Sequence, residues 1–540
     1  MLIGIDFDNT IAKYDEVFIE VAVSKNLIDS KWHGSKKSLK KIILSFPDGD
    51  KKWMSLQGKV YGKFMKKADL MPDFKNFLLH CKLEKINLCV VSHKTEYGHF
   101  DSSKTNLRKE AMKWMAFKNL FDPSQSPLKK EDIYFAETRS KKVTKINELK
   151  CDYFIDDLNE VFQENHFSKK VKKILFDDHV LNKKVISLSD WKNINSHFFG
   201  KDKLSFNKLL FKSILGVSPN SLTKVKGRGN SKVFKGVIGK KKYALKIYPN
   251  KKTDIRNRIE TEFKSLQLLR ENNIRNIPLP IKLSKDFNSA IYSWVEGKHI
   301  LSPKEHHLDQ SISLIKKLKK ISNNKNHKFS LASESCLSLE DLDNQIKNRL
   351  ISLELISKKN KALESFLKET FKPLLKKIKE DFYILWPAES ISKDLIIKKR
   401  ILSPSDYGFH NSLEDSKNIV HFLDFDYFGW DDPVKLAADF YWHPGMKLNK
   451  STKERWIKEM KSIFGTTDNN FLKRLESALP IYGLRWILII LNIYSPEVLE
   501  RRMHASGILE QNISQIKKLQ LTKADKLANQ IIKYLSEQPY

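Results

Sequence analysis

The hydrophobic rhythm of the chain changes part of the way along. From Met1 to about Phe199, short apolar runs recur, each followed by a stretch with helical spacing: LIGIDF (Leu2–Phe7), INLCVVS (Ile86–Ser92), DIYFA (Asp132–Ala136), DYFIDD (Asp152–Asp157), KILFD (Lys173–Asp177) and KVISL (Lys184–Leu188). Apolar runs of this kind, alternating with helices, predict a parallel sheet covered on both faces. Around Phe199–Ser205 (FGKDKLS) the rhythm lapses. From about Leu222 it becomes strand-rich: LTKVKGRGN, SKVFKGVIG and KKYALKIY, then a helix over Thr253–Asn272, another strand in AIYSWVEG, and long Lys-rich helices. The polar tract Ser322–Ser333 reads as a loop. The pattern predicts an α/β domain over 1–199 and an α+β domain over 204–540. Within the second, a small sheet lobe (about 204–300) precedes a mostly helical lobe (about 301–540).

Composition adds exclusions. With 540 residues, 41% of them hydrophobic, the chain has material for more than one packed core. Gly and Pro are too sparse for a fibrous or low-complexity chain. Cys81, Cys89, Cys151 and Cys336 form no CxxC pair, so neither a disulfide framework nor a cysteine zinc site is expected. The opening MLIGIDFDNT is too acidic for a signal peptide. The apolar run Trp486–Leu491 is far short of the ~20 residues that span a bilayer. A cytoplasmic protein with no membrane span is the expectation. The formal charge of +34 comes almost wholly from Lys spread along the chain. Nucleic-acid binders concentrate their charge between aromatic residues, so nucleic acid is not the expected partner. A basic surface still favours phosphorylated small molecules.

Candidate chemistry begins at the first strand, which ends Asp6-Phe7-Asp8-Asn9-Thr10. Ligands of open parallel sheets gather at the carboxyl ends of strands. Two carboxylates placed there suit attack on phosphorus by one and proton transfer by the other. Ser92 ends a second strand; Asp156 and Asp157 end a third; Lys141 and Lys142 precede the helix before it. The acids suit Mg²⁺, which prefers oxygen ligands. Taken in order, these pieces resemble the haloacid dehalogenase-like phosphatases over about residues 1–195. The resemblance implies a Rossmann-like fold with a helical cap over about 12–83. It implies that Asp6 forms an aspartyl-phosphate and Asp8 acts as general acid and base. Ser92 and Lys142, with Lys141 as the close alternative, match the family's catalytic Ser/Thr and Lys. Asp6, Asp8, Asp156 and Asp157 hold Mg²⁺.

In the second domain a glycine-containing turn, Lys226-Gly227-Arg228-Gly229-Asn230-Ser231, lies between predicted strands and suits close approach to phosphates. Lys246 ends the strand Tyr243-Ala244-Leu245-Lys246, and Glu262 lies on the following helix, placed to pair with it. Asp406 and Asn411 keep the Asp-x4-Asn interval of a kinase catalytic loop. The strand VHFLDFD then supplies Asp424 and Asp426. There is no HRD, and DFD replaces DFG, so a protein kinase is not expected. The region from about Leu204 to Tyr540 resembles the aminoglycoside phosphotransferase and choline kinase family. It departs from that family's HGD, with Pro404-Ser405-Asp406 in its place. The resemblance implies a bilobal protein-kinase-like fold that uses ATP and Mg²⁺. Asp406 is the implied base, Asn411 and Asp424 metal ligands, Lys246 the phosphate lysine and Glu262 its partner. Gly229, Asn230 and Ser231 border the phosphates; Ser293 to Val295 form the hinge beside adenine. His410 and Trp430 are given no chemistry.

The expectation is a bifunctional enzyme: a phosphatase joined to an ATP-dependent kinase of a small-molecule hydroxyl, such as a sugar or amino alcohol. Assembly of a surface polysaccharide or lipid headgroup is the pathway such pairings suggest. A polynucleotide end-processing phosphatase-kinase is the alternative enzyme, but no GxxxxGK[ST] is present. A regulatory or scaffold protein with one inactive domain is the alternative of another class.

Overall fold

The computed structural model describes the chain except residues 31, 101–103, 178–184, 201–202, 226–230, 250–255, 500–512 and 538–540. It divides into two compact units, Met1–Pro219 and Asn220–Tyr540.

In the first unit all six apolar runs contribute strands: β1 (Leu2–Ile5), β4 (Asn87–His93), β5 (Ile133–Ala136), β6 (Tyr153–Asp156), β7 (Lys172–Leu175) and β8 (Ile186–Ser187). The sheet order is β5-β4-β1-β6-β7-β8, with every neighbouring pair parallel. The order reverses on either side of β1, and that switch point is where such sheets bind ligands. Helices fill both faces, because the strands are apolar on both sides; Ile5 and Val90 belong to one core, Cys89, Val91 and Phe154 to the other.

Of the stretch 12–83, expected as a cap, the first part forms a small helical subdomain. Its base is the two-stranded pair β2 (Ala12–Lys13) and β3 (Asp69–Leu70). Between them lie α1 (Asp15–Ser24), α2 (Lys36–Leu44) and α3 (Gly49–Tyr61). The next helix, α4 (Phe74–Leu83), covers the sheet instead. Its Phe74 and Phe77 pack on Trp191, with ring centroids 4.7 and 4.8 Å away. Trp191 opens α8 (Trp191–Phe199), and its indole N–H donates to Thr10 O at 2.7 Å, pinning the loop after β1. Helices α5 (Leu107–Phe117), α6 (Arg139–Glu148) and α7 (Asn159–Phe162) complete the layers.

The domain boundary also moves. Helix α9 (Lys203–Leu215) belongs to the first unit, so the second begins at Asn220 and not at 204. Beyond the polar FGKDKLS, Leu210, Phe211 and Ile214 recur at helical spacing and are buried. Phe206 lies 4.2 Å from His80 of α4 between ring centroids.

The second unit opens with an antiparallel sheet of order β12-β13-β11-β10-β9. Its strands are β9 (Ser221–Lys224), β10 (Lys232–Ile238), β11 (Lys241–Ile247), β12 (Pro280–Ser284) and β13 (Ser289–Ser293), with α10 (Arg258–Glu271) after β11. Gly239, at φ 56°, makes the tight turn between β10 and β11. The remainder is mostly helical, including Glu305–Ser322, Leu339–Ser357, Pro433–Trp442, Lys450–Gly465, Phe471–Leu491 and Ile513–Ser536. Two small ribbons interrupt it: Lys298–His299 with Ser412–Glu414 and Val420–Phe422, and Ile401–Ser403 with Gly429–Asp431.

Candidate active sites

Parallel pairing of β1 with β6 sets Asp6 beside Asp156 at the carboxyl edge of the first sheet. Lys142, in the first turn of α6, reaches both: its Nζ lies 2.5 Å from Asp6 Oδ1 and 2.7 Å from Asp156 Oδ2. Burial opposes its charge, but these two carboxylates more than compensate and raise it. Lys141 points to solvent and pairs with Glu137, so Lys142 is the lysine of the site. Ser92 Oγ is buried at the end of β4 with no hydrogen-bond partner among the described residues. Such an orphan suits a bound oxyanion.

Asp6, Asp156 and Asp157 each place an oxygen within 4.8 Å of the others. Burial, with the crowding of carboxylates, raises Asp6, although Lys142 works against it. Burial and Asp156 push Asp157 up to about 7. Crowded oxygen donors with excess negative charge fit a hard divalent cation such as Mg²⁺. The side chain of Asp8 turns elsewhere. Its carboxylate accepts from Tyr14 Oη at 2.5 Å and pairs with Lys94 Nζ at 2.9 Å. Tyr14, Lys94 and the cap residues Lys36 and Tyr61 had no motif to reveal them; the fold alone collects them around Asp8 and Asn9.

In the second unit the antiparallel pair Ser412–Glu414 and Val420–Phe422 does similar work. Asn411 precedes one strand and Asp424 follows the other, so the ribbon holds them side by side, with Leu423 N donating to Asn411 O at 2.9 Å. Lys246 Nζ bridges Glu262 Oε2 and Asp424 Oδ1, both at 2.6 Å. Tyr248 Oη also donates to Glu262, at 2.6 Å. Burial opposes the lysine's charge, but Asp424 and Glu262 raise it well above its ordinary value. Asp426 forms a buried pair with Arg258 of α10 at 2.8 Å. Burial and Asp424 push it up to about 7. Carboxylate oxygens of Glu262, Asp424 and Asp426 lie within 4.8 Å of one another. This donor set, with Asn411 beside it, also fits Mg²⁺.

Asp406 lies on the loop after Ile401–Ser403. Burial resists its ionisation, but hydrogen bonds from His410 and Asn411 hold it well below the usual carboxylate range. His410 Nε2 is 3.0 Å from Asp406 Oδ1, and Asn411 Nδ2 is 3.2 Å from Oδ2. His410 therefore touches the candidate base, a contact the sequence reading left out. The His443 ring stacks on it at 3.6 Å, and burial lowers His443 to about 3. Trp430, in contrast, is a buried strand residue. Ser405 adopts φ 65°, held by a hydrogen bond from its hydroxyl to Ser333 O and one from Lys435 Nζ.

The remaining candidates are less directed. Ser231 immediately precedes β10, while Gly229 and Asn230 lie outside the described residues. Ser293 ends β13, and its hydroxyl accepts from Leu279 N at 2.8 Å, so it secures the sheet. Val295 is half-buried just beyond.

No family model and no curated protein matches the chain. Solved structures do. Spectinomycin phosphotransferase in complex with ADP and spectinomycin is 14% identical, covering 59% of this chain and 97% of its own, with a TM-score of 0.41. Choline kinase from Cryptosporidium parvum is 14% identical, covering 58% and 90%, with a TM-score of 0.36. Ethanolamine kinase from Plasmodium vivax is also 14% identical, covering 60% and 89%, with a TM-score of 0.37.

Proposed function

We propose that the second unit transfers the γ-phosphoryl group of ATP to a hydroxyl of a small molecule, a sugar or an amino alcohol. The observation that carries this reading is Lys246 held between Glu262 and Asp424, in one unit with the Asp406–Asn411 loop. In this reading Asp406 accepts the proton of the acceptor hydroxyl as its oxygen bonds to the γ-phosphorus. The bond from that phosphorus to the bridging oxygen of ADP breaks, and ADP leaves with the electron pair. Lys246 neutralises the phosphates, and Glu262 fixes Lys246. Asn411 and Asp424 would hold Mg²⁺, which supplies charge neutralisation on the phosphate oxygens. The test is ADP formation by the purified chain with Mg·ATP across a panel of sugars and amino alcohols. Acceptor-dependent ADP formation is expected; none with any acceptor would overturn the reading.

A second activity is favoured by a separate observation, Lys142 shared between Asp6 and Asp156 beside the orphaned Ser92 hydroxyl. We infer a phosphatase in the first unit, which makes the chain bifunctional. Asp6 attacks the phosphorus of a phosphate monoester, the ester P–O bond breaks, and a proton passes through Asp8 to the leaving alcohol. Asp8 then takes a proton from the water that hydrolyses the aspartyl-phosphate. Asp6, Asp156 and Asp157 would hold Mg²⁺. Asp6→Asn is expected to abolish phosphate release and to leave ATP use intact. Phosphate release by a folded Asp6→Asn variant would rule out the nucleophile.

A further inference from the structure

Three lysines face the first site, and their partners differ. Lys142 is matched by Asp6 and Asp156, and Lys94 by Asp8. Lys36, the first residue of α2, hydrogen-bonds two neutral oxygens among the described residues: Asn9 Oδ1 at 3.0 Å and Tyr61 Oη at 3.2 Å. Its ammonium also lies over the rings of Phe18 (4.5 Å), Tyr61 (5.7 Å) and Tyr14 (5.8 Å). Burial in this aromatic setting lowers its pKa, although the nearby carboxylates of Asp8, Asp157 and Asp15 work against it. A half-buried cation with neutral partners gains more from an anion than an exposed one does, since the anion replaces lost hydration.

The position of Lys36 identifies where that anion sits. Asp8 accepts from Tyr14, the Tyr14 ring packs edge-on against Tyr61 at 4.9 Å, and Tyr61 reaches Lys36. Lys36 therefore stands on the helical side of the site, linked to Asp8 through Tyr61 and Tyr14 and to Asp157 through Asn9, whose Nδ2 donates to that carboxylate at 3.2 Å; in this reading that is the side of the leaving alcohol. Ser92 and Lys142, which would hold the scissile phosphate, lie on the sheet side with Asp6. Lys94 also stands over the Tyr61 ring, at 4.6 Å, but its charge is taken by Asp8.

We propose that Lys36, with Asn9 and Tyr61, forms a subsite for a second anionic group on the leaving alcohol, so that the first unit prefers phosphate monoesters bearing a carboxylate or second phosphate. This rests on the phosphatase reading of the same site. The test uses the full chain with Asp6→Asn and Mg²⁺, measuring binding by calorimetry. The probes are 3-phosphoglycerate and glycerol 3-phosphate, which differ only in a carboxylate in place of a hydroxymethyl group. About tenfold tighter binding of 3-phosphoglycerate is expected, as one added charge-assisted hydrogen bond gives. Adding Lys36→Gln should reduce that ratio to about one, and adding Lys36→Arg should keep most of it. A ratio near one without the Lys36 change would overturn the proposal. So would a ratio that survives Lys36→Gln, or equal loss of both ligands, which would place Lys36 on the scissile phosphate. Failure of the phosphatase reading is seen separately, as wild-type chain that releases phosphate from no monoester while binding both probes.

Discussion

At the scale of single residues, the second site separates two roles that mutation can tell apart. Asp424 touches Lys246 and belongs to the oxygen cluster, whereas Asp406 is tied to His410 and Asn411. Asp424→Ala and Asp406→Asn should each lower kinase turnover by about a hundredfold or more, the usual cost of losing a metal clamp or catalytic base. Only Asp424→Ala should weaken Mg·ATP binding. Equal nucleotide affinity in Asp424→Ala and wild type, measured by calorimetry, would remove Asp424 from the metal site. The residues with fixed spacing were legible in the sequence, because Asp-x4-Asn and DxD put their chemistry within one loop. The others were not. Lys141 and Lys142 are equivalent in sequence, and only the roughly 100° turn per helical residue directs one inward. His443 reaches Asp406 by tertiary packing, and Lys36 and Tyr61 arrive on a cap with no motif. Asp8 has its place from the strand end, but its side-chain partners Tyr14 and Lys94 belong to no motif.

At the scale of elements, strands and helices were legible where periodicity sets burial, and their allegiance was not. Helix α4 reads as one more helix of the cap, yet the apolar face around Phe74 and Phe77 belongs to the sheet. Helix α9 follows a polar break that looks like a linker. The helix Phe471–Leu491, extended to Tyr494, has a mean hydropathy of 1.4 over its most apolar window, enough by length and composition for a membrane. It is a core helix here, 83% buried over that window. Its arginines show why a charged core is tolerated. Arg474 donates to both oxygens of Asp432 at 3.0 Å and to Asp468 at 2.7 Å, and Arg485 pairs with Asp439 at 3.2 Å. Removing one partner of a buried set strands the others without water. Arg474→Met should therefore destabilise the second unit by about 3–5 kcal/mol. Lys461→Ala, which breaks an exposed pair with Glu476, should cost less than about 1 kcal/mol. Denaturant midpoints at unchanged slope measure both; similar shifts for the two variants would mean that the Arg474 set is not what holds this helix.

At the scale of the whole molecule, two units with separate cores imply separate folding. Cutting within Gly216–Pro219 should yield two soluble pieces, each with a single cooperative unfolding transition. Cutting at Gly200–Lys203 should leave the N-terminal piece with α4 uncovered and prone to aggregate, because α9 is lost. If both cuts give equally stable N-terminal pieces, α9 contributes nothing to that core. The two proposed activities raise a chemical question, since a kinase and a phosphatase acting on one hydroxyl would only consume ATP. The pairing is productive if they act at different positions of one metabolite, or on successive metabolites, with the tether raising the local concentration of a shared intermediate. The phosphatase should then spare the kinase's own product. That product can be made with the Asp6→Asn chain, which lacks the proposed nucleophile, and given to wild-type chain with Mg²⁺ and no ATP. Release of phosphate from the new ester should be slow beside release from the best other monoester. Release at a matching rate would mean that the two sites oppose each other on one group, and that the chain sets the phosphorylation level of its substrate instead of passing it onward.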